Sequence, residues 1–180
     1  MNVQDCIKTR RSVRRYRPDP VPQEVLRGIV ETAAYAPSWK NTQTTRYLVI
    51  QDPALKSRIA QEAVTMFPGN QRIIEGAPAL VVVTTIASRS GYERDGSFST
   101  SKETHWESFD CGIATQTFCL AAWDAGLGTV VMGIFDEEKV ASLAEVPQGQ
   151  KVSALVAIGY PDETPAAPKR KAVDDLLTIR

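Results

Sequence analysis

Ala79-Leu80-Val81-Val82-Val83-Thr84-Thr85-Ile86 is the stretch on which the fold turns. A near-continuous β-branched run of this length reads as a strand buried on both faces, because a strand with one wet face would alternate apolar with polar residues. A chain of 180 residues, 43% of them hydrophobic, can bury a sizeable core around it, so residues 1–180 are read as one domain.

On the C-terminal side, Ala87 to Thr104 is rich in Ser, Gly and charge and poor in apolar anchors. It reads as a mobile excursion of the kind that serves as a lid. From about His105 to Gly126 runs the longest helix, with Phe109, Ile113, Phe118, Leu120, Ala121, Ala122 and Trp123 spread around more than one face. That is too apolar for a surface helix, and predicts a central position together with a subunit interface. Gly126 and Gly128 are read as closing it in a C-cap turn. Thr129 to Met132 follows as a short strand, then Gly133, where a backbone can approach a flat ligand closely. Asp136 to Ala144 reads as a helix and Val152 to Ile158 as the last buried strand. Pro161, Pro165 and Pro168 punctuate the tail, which carries Lys169-Arg170-Lys171.

On the N-terminal side, Pro68-Gly69 breaks the chain before a short helical piece from Asn70 to Glu75. Asp52-Pro53 has capping chemistry for a helix to about Val64. Tyr47 to Gln51 is a strand. Before it lies a polar loop, Ala36-Pro37-Ser38-Trp39-Lys40-Asn41-Thr42-Gln43-Thr44-Thr45-Arg46. Asn41 and Gln43 can each donate and accept, which suits a heterocycle edge of alternating C=O and N–H groups; the plainer reading is a loop that satisfies its own backbone. An amphipathic helix runs from Pro22 to before Pro37, and a short one from Val3 to Thr9.

Between those two helices stands Thr9-Arg10-Arg11-Ser12-Val13-Arg14-Arg15-Tyr16-Arg17, with five arginines in eight residues. Guanidinium forks bind phosphate oxygens in bidentate fashion, and Ser12 adds a hydroxyl donor. The alternative is a solvated basic turn or a peripheral nucleic-acid contact. Nucleic-acid binders carry a basic balance over a whole face, whereas 21 basic residues here meet 21 acidic ones. A small phosphorylated ligand fits better, and folding is expected to bring Lys169 and Arg170 beside the first cluster.

Other chemistries have little to draw on. Cys6, Cys111 and Cys119 are too few and too oddly spaced for a disulfide framework or a zinc site, and a single histidine, His105, gives a His-ligated metal or a Ser-His-Asp triad very little to draw on. There is no G-x-G-x-x-G opening a helix, no P-loop, no signal-peptide pattern and no apolar run of membrane-spanning length. A cytoplasmic protein with borrowed cofactor chemistry is the expectation, with neither nucleic acid nor membrane as partner.

Taken in order, Arg10-Arg11-Ser12-Val13-Arg14, Ala36-Pro37-Ser38-Trp39-Lys40-Asn41-Thr42-Gln43, Gly126-Leu127-Gly128-Thr129 with Met132-Gly133, Ile158-Gly159-Tyr160-Pro161 and Lys169-Arg170-Lys171 together resemble the nitroreductase family of flavoenzymes. The resemblance implies an α+β, three-layer fold with a central mixed β-sheet flanked by helices, built as an intertwined homodimer with flavin sites at the interface. It implies tightly bound FMN, NADH or NADPH as co-substrate, and ping-pong reduction of a nitroaromatic, quinone or similar acceptor, with no catalytic side chain. By the same resemblance Arg10, Arg11, Ser12 and Arg14 meet the phosphate and ribityl chain, and Lys169 and Arg170 meet the phosphate from the tail. Pro37, Ser38, Asn41 and Gln43 approach from the other subunit, Asn70 meets the pyrimidine edge, and Met132-Gly133 presents a backbone N–H to flavin N5. Gln43 is followed by Thr44-Thr45 where the family often has Pro-Trp, which leaves that wall of the site undefined. The alternatives are a non-catalytic flavin- or nucleotide-binding protein, or a relative with another flavin reaction such as dehalogenation or flavin cleavage.

Overall fold

A computed structural model describes residues 1–180. Six helices and four strands alternate along it: α1 (Val3–Thr9), α2 (Gln23–Ala33), β1 (Thr45–Ile50), α3 (Pro53–Ala63), α4 (Pro68–Gly76), β2 (Ala79–Ile86), α5 (His105–Asp124), β3 (Gly128–Met132), α6 (Glu137–Leu143) and β4 (Gln150–Gly159). Side chains set several of these boundaries. At the start of α3 the cap is Asp52, whose carboxylate accepts from the N–H groups of Ala54 and Leu55 with Pro53 in the first turn. Pro68 opens α4 instead of breaking the chain, since the N–H it lacks would have had no helical partner there. Gly126, at φ +81°, ends α5: Leu127 N–H donates to Ala122 O (2.8 Å) and Gly126 N–H to Trp123 O (3.0 Å), a Schellman turn. Gly128 takes no part in that cap. It lies in β3.

The sheet order is β1-β2-β4-β3, and every strand pair is antiparallel. Its parallel element is a bridge between Ser12 and Thr129 on the outer edge of β3. As its sequence requires, β2 is central and buried on both faces. Leu80 and Val82 join Leu155 and Ala157 in a core covered by α3, α4 and α6, while Ala79, Val81 and Val83 join Val156 and Ile158 in a second core covered by α2 and α5. The result is three layers. β4 changes faces part-way: the register against β2 slips between Val83 and Thr84, Ser153 is left over, and Val152 joins the core of Leu155 and not that of Val156. One extra residue in a period-2 strand has that effect.

No helix is long and apolar enough to cross a membrane. α5 packs against α2, β1, β2 and β3, in keeping with its broad apolar surface, and it also buries two carboxylates, Glu107 and Asp110. The expected lid has more internal structure than its composition suggests. Ser90 and Gly91 are buried, Tyr92 pairs with Phe98 and their rings lie 4.9 Å apart, and Glu93 accepts from Ser99. The segment's apolar anchors are few, but turns and polar pairs hold its backbone, and composition alone does not reveal those.

Candidate functional site

The arginine run is stitched down along its length. Val13 N–H donates to Thr129 O (3.0 Å) and Arg17 N–H to Tyr160 O (2.9 Å), while Tyr16 bridges Pro161. The Val13 side chain is fully buried, and the hydroxyl of the buried Tyr16 donates to Val13 O at 2.5 Å. Burial pushes that phenol well above its ordinary pKa. Just past β4, a Glu163 carboxylate oxygen accepts the N–H groups of Arg14 (2.6 Å) and Arg15 (3.2 Å).

The side chains then sort themselves by partner. Arg15 pairs with Glu163 (3.5 Å), and Arg17 pairs with Asp19 (3.3 Å) and lies over the Tyr160 ring. Arg11 donates to Lys8 O (2.7 Å) and Arg10 O (2.9 Å), closing the C-terminal end of α1. Arg10 and Arg14 have no carboxylate partner, and Arg14 donates only to Ser12 O at 3.2 Å. Arg10, Arg11 and Arg14 thus keep charge that no acid compensates. Arg11 commits its fork to the end of α1, which leaves Arg10 and Arg14 flanking Ser12 on the strand edge.

β3 carries that edge onward. Gly133 lies four residues beyond Thr129, about 13 Å at roughly 3.3 Å per residue. A Cβ at Gly133 would meet nothing of this chain within 4 Å, so its own packing does not demand a glycine there. Asp136 N–H donates to Ala63 O (2.7 Å), tying the loop after Gly133 to the end of α3, and Asn70 follows in the first turn of α4. Asn70 is 8% exposed as a residue; its side-chain amide enters none of the chain's hydrogen bonds and keeps contact with solvent. Met132 is buried in the core shared with Ile74 of α4.

Val131, on the opposite face of β3, is 50% exposed and lines a cleft of about 590 Å³. Glu107, Cys111 and Thr115 of α5 form one wall and Ser153 and Ala154 of β4 the other. That volume suits a ligand site. The sequence reading missed both the cleft and Val131. The alternation in β3 was the available signal, since it sets Val131 opposite Met132 on an edge strand that α5 only partly covers.

The second half of the expected site stands elsewhere. Residues 36–44 connect α2 to β1, where Pro37, Ser38 and Gln43 line a smaller cavity of about 330 Å³. Lys40 (φ 45°), Asn41 (φ 54°) and Gln43 (φ 48°) all adopt left-handed backbone, which costs non-glycine residues about 1–3 kcal/mol each. Ser38 Oγ accepts from Gln43 N–H (2.9 Å), Lys40 pairs with Glu93 (2.9 Å), and the Trp39 ring lies 4.7 Å from Trp106. Trp39 is thus a packing residue, although its buried indole N–H, like the Thr42 hydroxyl, has no partner.

This loop feeds β1, and Ser12 bridges β3. The two are opposite edges of the sheet, three strand spacings or about 14 Å apart. One protomer does not bring Pro37, Ser38, Asn41 and Gln43 to Arg10, Ser12 and Arg14. Lys169 and Arg170 lie exposed in the tail without a hydrogen bond or ion pair. The tail also exposes Val173, Leu176, Leu177 and Ile179.

Residues 7–160 match the sequence model described as the nitroreductase family. A protein of Thermus thermophilus named NADH dehydrogenase is 32% identical over 177 residues, which cover 86% of this chain and 84% of that one. Among solved structures, a nitroreductase family protein of Clostridium novyi NT superposes with a TM-score of 0.79 at 27% identity, covering 97% of this chain and 91% of the other. An FMN-dependent nitroreductase of Clostridium difficile R20291 does so at 0.75 and 25%, covering 93% and 92%.

Proposed function

The chain belongs to the nitroreductase family, and from that premise we propose that it is an FMN-dependent oxidoreductase using NADH or NADPH to reduce nitroaromatic, quinone or similar acceptors. The observation that carries the reading is the pair Arg10 and Arg14, held without acidic partners on either side of Ser12. A dianionic phosphate monoester is the guest this donor set fits, by charge and by fork geometry. Asn70 offers the pyrimidine edge an unpaired amide that can donate and accept. Met132-Gly133 offers backbone N–H groups at an open position, and Val131 an apolar wall.

When bound, FMN supplies the two-electron chemistry, accepting from NAD(P)H and passing on to the acceptor in ping-pong order. The protein's part is to position and to polarise. Arg10, Arg14 and the Ser12 hydroxyl hold the phosphate, and Arg11 keeps the end of α1 in place. Donors facing the pyrimidine C=O stabilise negative charge as it develops. Asn70 is the unpaired amide donor at hand.

The chain assembles as a homodimer in this reading, because Pro37, Ser38, Asn41 and Gln43 reach an Arg10–Arg14 edge only if it belongs to a second copy. The exposed apolar tail, with Lys169 and Arg170, suits the same arrangement. Three free cysteines suit a reducing, cytoplasmic setting.

Two measurements test the reading. Purified protein should be yellow, release FMN on denaturation, and consume NADH or NADPH when a nitroaromatic or quinone is added. Colourless protein that takes up no added FMN contradicts it, and flavin binding without turnover marks a carrier instead of an enzyme. Sedimentation should show a dimer that persists on dilution, as obligate interfaces of more than about 2,000 Å² do. A folded, flavin-loaded monomer refutes the shared site.

A further inference from the structure

Asp110, on the second turn of α5, is 3% exposed and hydrogen-bonds to two separate segments. Its carboxylate accepts from Trp39 N–H (2.8 Å) and from the Ser90 hydroxyl. Three residues earlier on the same face, buried Glu107 accepts from Ser88 N–H (2.7 Å) and from Lys151 Nζ (2.8 Å). Two buried carboxylates one turn apart on α5 thus receive the start of the 87–104 segment, and Asp110 alone also receives the 36–44 loop.

That loop needs holding. Its left-handed residues at 40, 41 and 43 persist only where the surroundings over-determine them. Among its polar ties, Ser38 to Gln43 lies within the loop, and Lys40 to Glu93 is a half-exposed ion pair of the kind worth at most about 1 kcal/mol. The Trp39 N–H to Asp110 bond is the buried tie to a rigid helix, and it grips the residue immediately before the left-handed pair. At its far end the loop is tied to β2 by buried Thr44, whose carbonyl accepts from Ile86 N–H (3.0 Å) and whose hydroxyl meets that of Thr85 (3.2 Å). The Trp39 indole N–H and Thr42 hydroxyl have no partner, so at its left-handed start the buried tie is the one to Asp110.

We propose that Asp110 is a positioning residue: it clamps the 36–44 loop and the 87–104 segment to α5, and so presents Pro37, Ser38 and Asn41 in the conformation that meets the flavin. This rests on the flavin reading above. It acts through backbone placement and requires no contact with the cofactor.

The test compares Asp110→Ala with Asp110→Asn, and with Ala60→Gly as a control on α3 chosen for a comparable loss of thermal stability. Hydrogen exchange is followed at the amides of residues 38–43 and 88–91 in flavin-free protein, and FMN affinity is measured by titration. Asp110→Ala should speed exchange at both segments at least about tenfold and weaken FMN about tenfold, the loss of a charge-assisted bond. Asp110→Asn keeps an oxygen for both donors and should stay within about threefold of wild type in both readouts. Ala60→Gly should move neither. If Asp110→Ala does not fold, Asp110→Glu, whose longer arm displaces the acceptor, carries the same expectations. Unchanged exchange at residues 38–43 overturns the clamp whether or not flavin binds. Accelerated exchange with unchanged FMN affinity, or equal losses in Ala60→Gly, overturns the positioning role. A wild-type protein that takes up no FMN is the failure of the flavin reading itself, and the role assigned here falls with it.

Discussion

Replacing Arg14 with alanine is expected to weaken FMN binding about tenfold to hundredfold, while leaving riboflavin binding nearly unchanged. The magnitude follows from what is lost. A charge-assisted bond to a phosphate contributes roughly 1.5–3 kcal/mol, and each 1.4 kcal/mol is about tenfold in Kd. Arg14 is free to make that bond, because its guanidinium has no carboxylate partner and its backbone, not its side chain, is what Glu163 holds. Removing the side chain therefore leaves the local fold intact. Arg10→Ala should behave alike. Arg15→Ala should differ, since it breaks the pair with Glu163 and takes no cation from the proposed phosphate site. Arg58, exposed on α3 and paired with Glu62, is the control of equal charge change, for which an effect of at most about 1 kcal/mol is expected at any surface site. Titration of the flavin-free protein with each ligand gives the answer. Equal losses for Arg14→Ala and Arg58→Ala, or riboflavin suffering as much as FMN, would make the cluster a general electrostatic feature and remove the phosphate cradle.

How much of this was legible depended on the range of the interaction that decides each feature. Local signals served well where chemistry is local: Asp52-Pro53 opens α3, Gly126 ends α5, and the near-continuous β-branched run 79–86 forms the central strand. The arginine cluster was legible as a phosphate candidate, but its division of labour was not. Arg15 and Arg17 find acids, Arg11 finds the end of a helix, and only the fold shows that Arg10 and Arg14 are left over. The face change in β4 depends on a single surplus residue, Ser153, that no composition reveals. The left-handed run in the 36–44 loop has no glycine to announce it, because Asp110, 71 positions from Trp39 in sequence, helps to hold it. The same distance hid Asp110 and Glu107. A hydrophobic periodicity read along α5 counts its apolar residues and passes over two buried carboxylates whose donors come from other elements.

Gly128→Ala is expected to reduce both stability and FMN affinity, and a second substitution should restore part of each. An ideal Cβ on Gly128 falls 2.6 Å from Val13 Cβ and Cγ2 and 2.9 Å from Cγ1. Val13 cannot step aside. It is fully buried, β-branched and stiff at χ1, its N–H is bonded to Thr129 O, and its carbonyl receives the Tyr16 hydroxyl. The backbone from Ser12 to Arg14 must then lift from β3. Overpacking of this kind costs about 1–3 kcal/mol, a fall in Tm of roughly 2–12 °C for a chain of this size. Because the displaced residues flank the proposed phosphate site, FMN affinity should fall further than in Ala60→Gly at a matched Tm. Val13→Gly removes the opposing atoms and is destabilising alone through the cavity it leaves. In the double variant the new methyl occupies part of that cavity, so the two losses should be sub-additive by about 1 kcal/mol or more, against the roughly 0.5 kcal/mol scatter of independent sites. Denaturant unfolding of the four proteins measures the coupling. Strict additivity would mean that the strand edge yields elsewhere, and that the close approach of Gly128 to Val13 is not what seats the arginines beside β3.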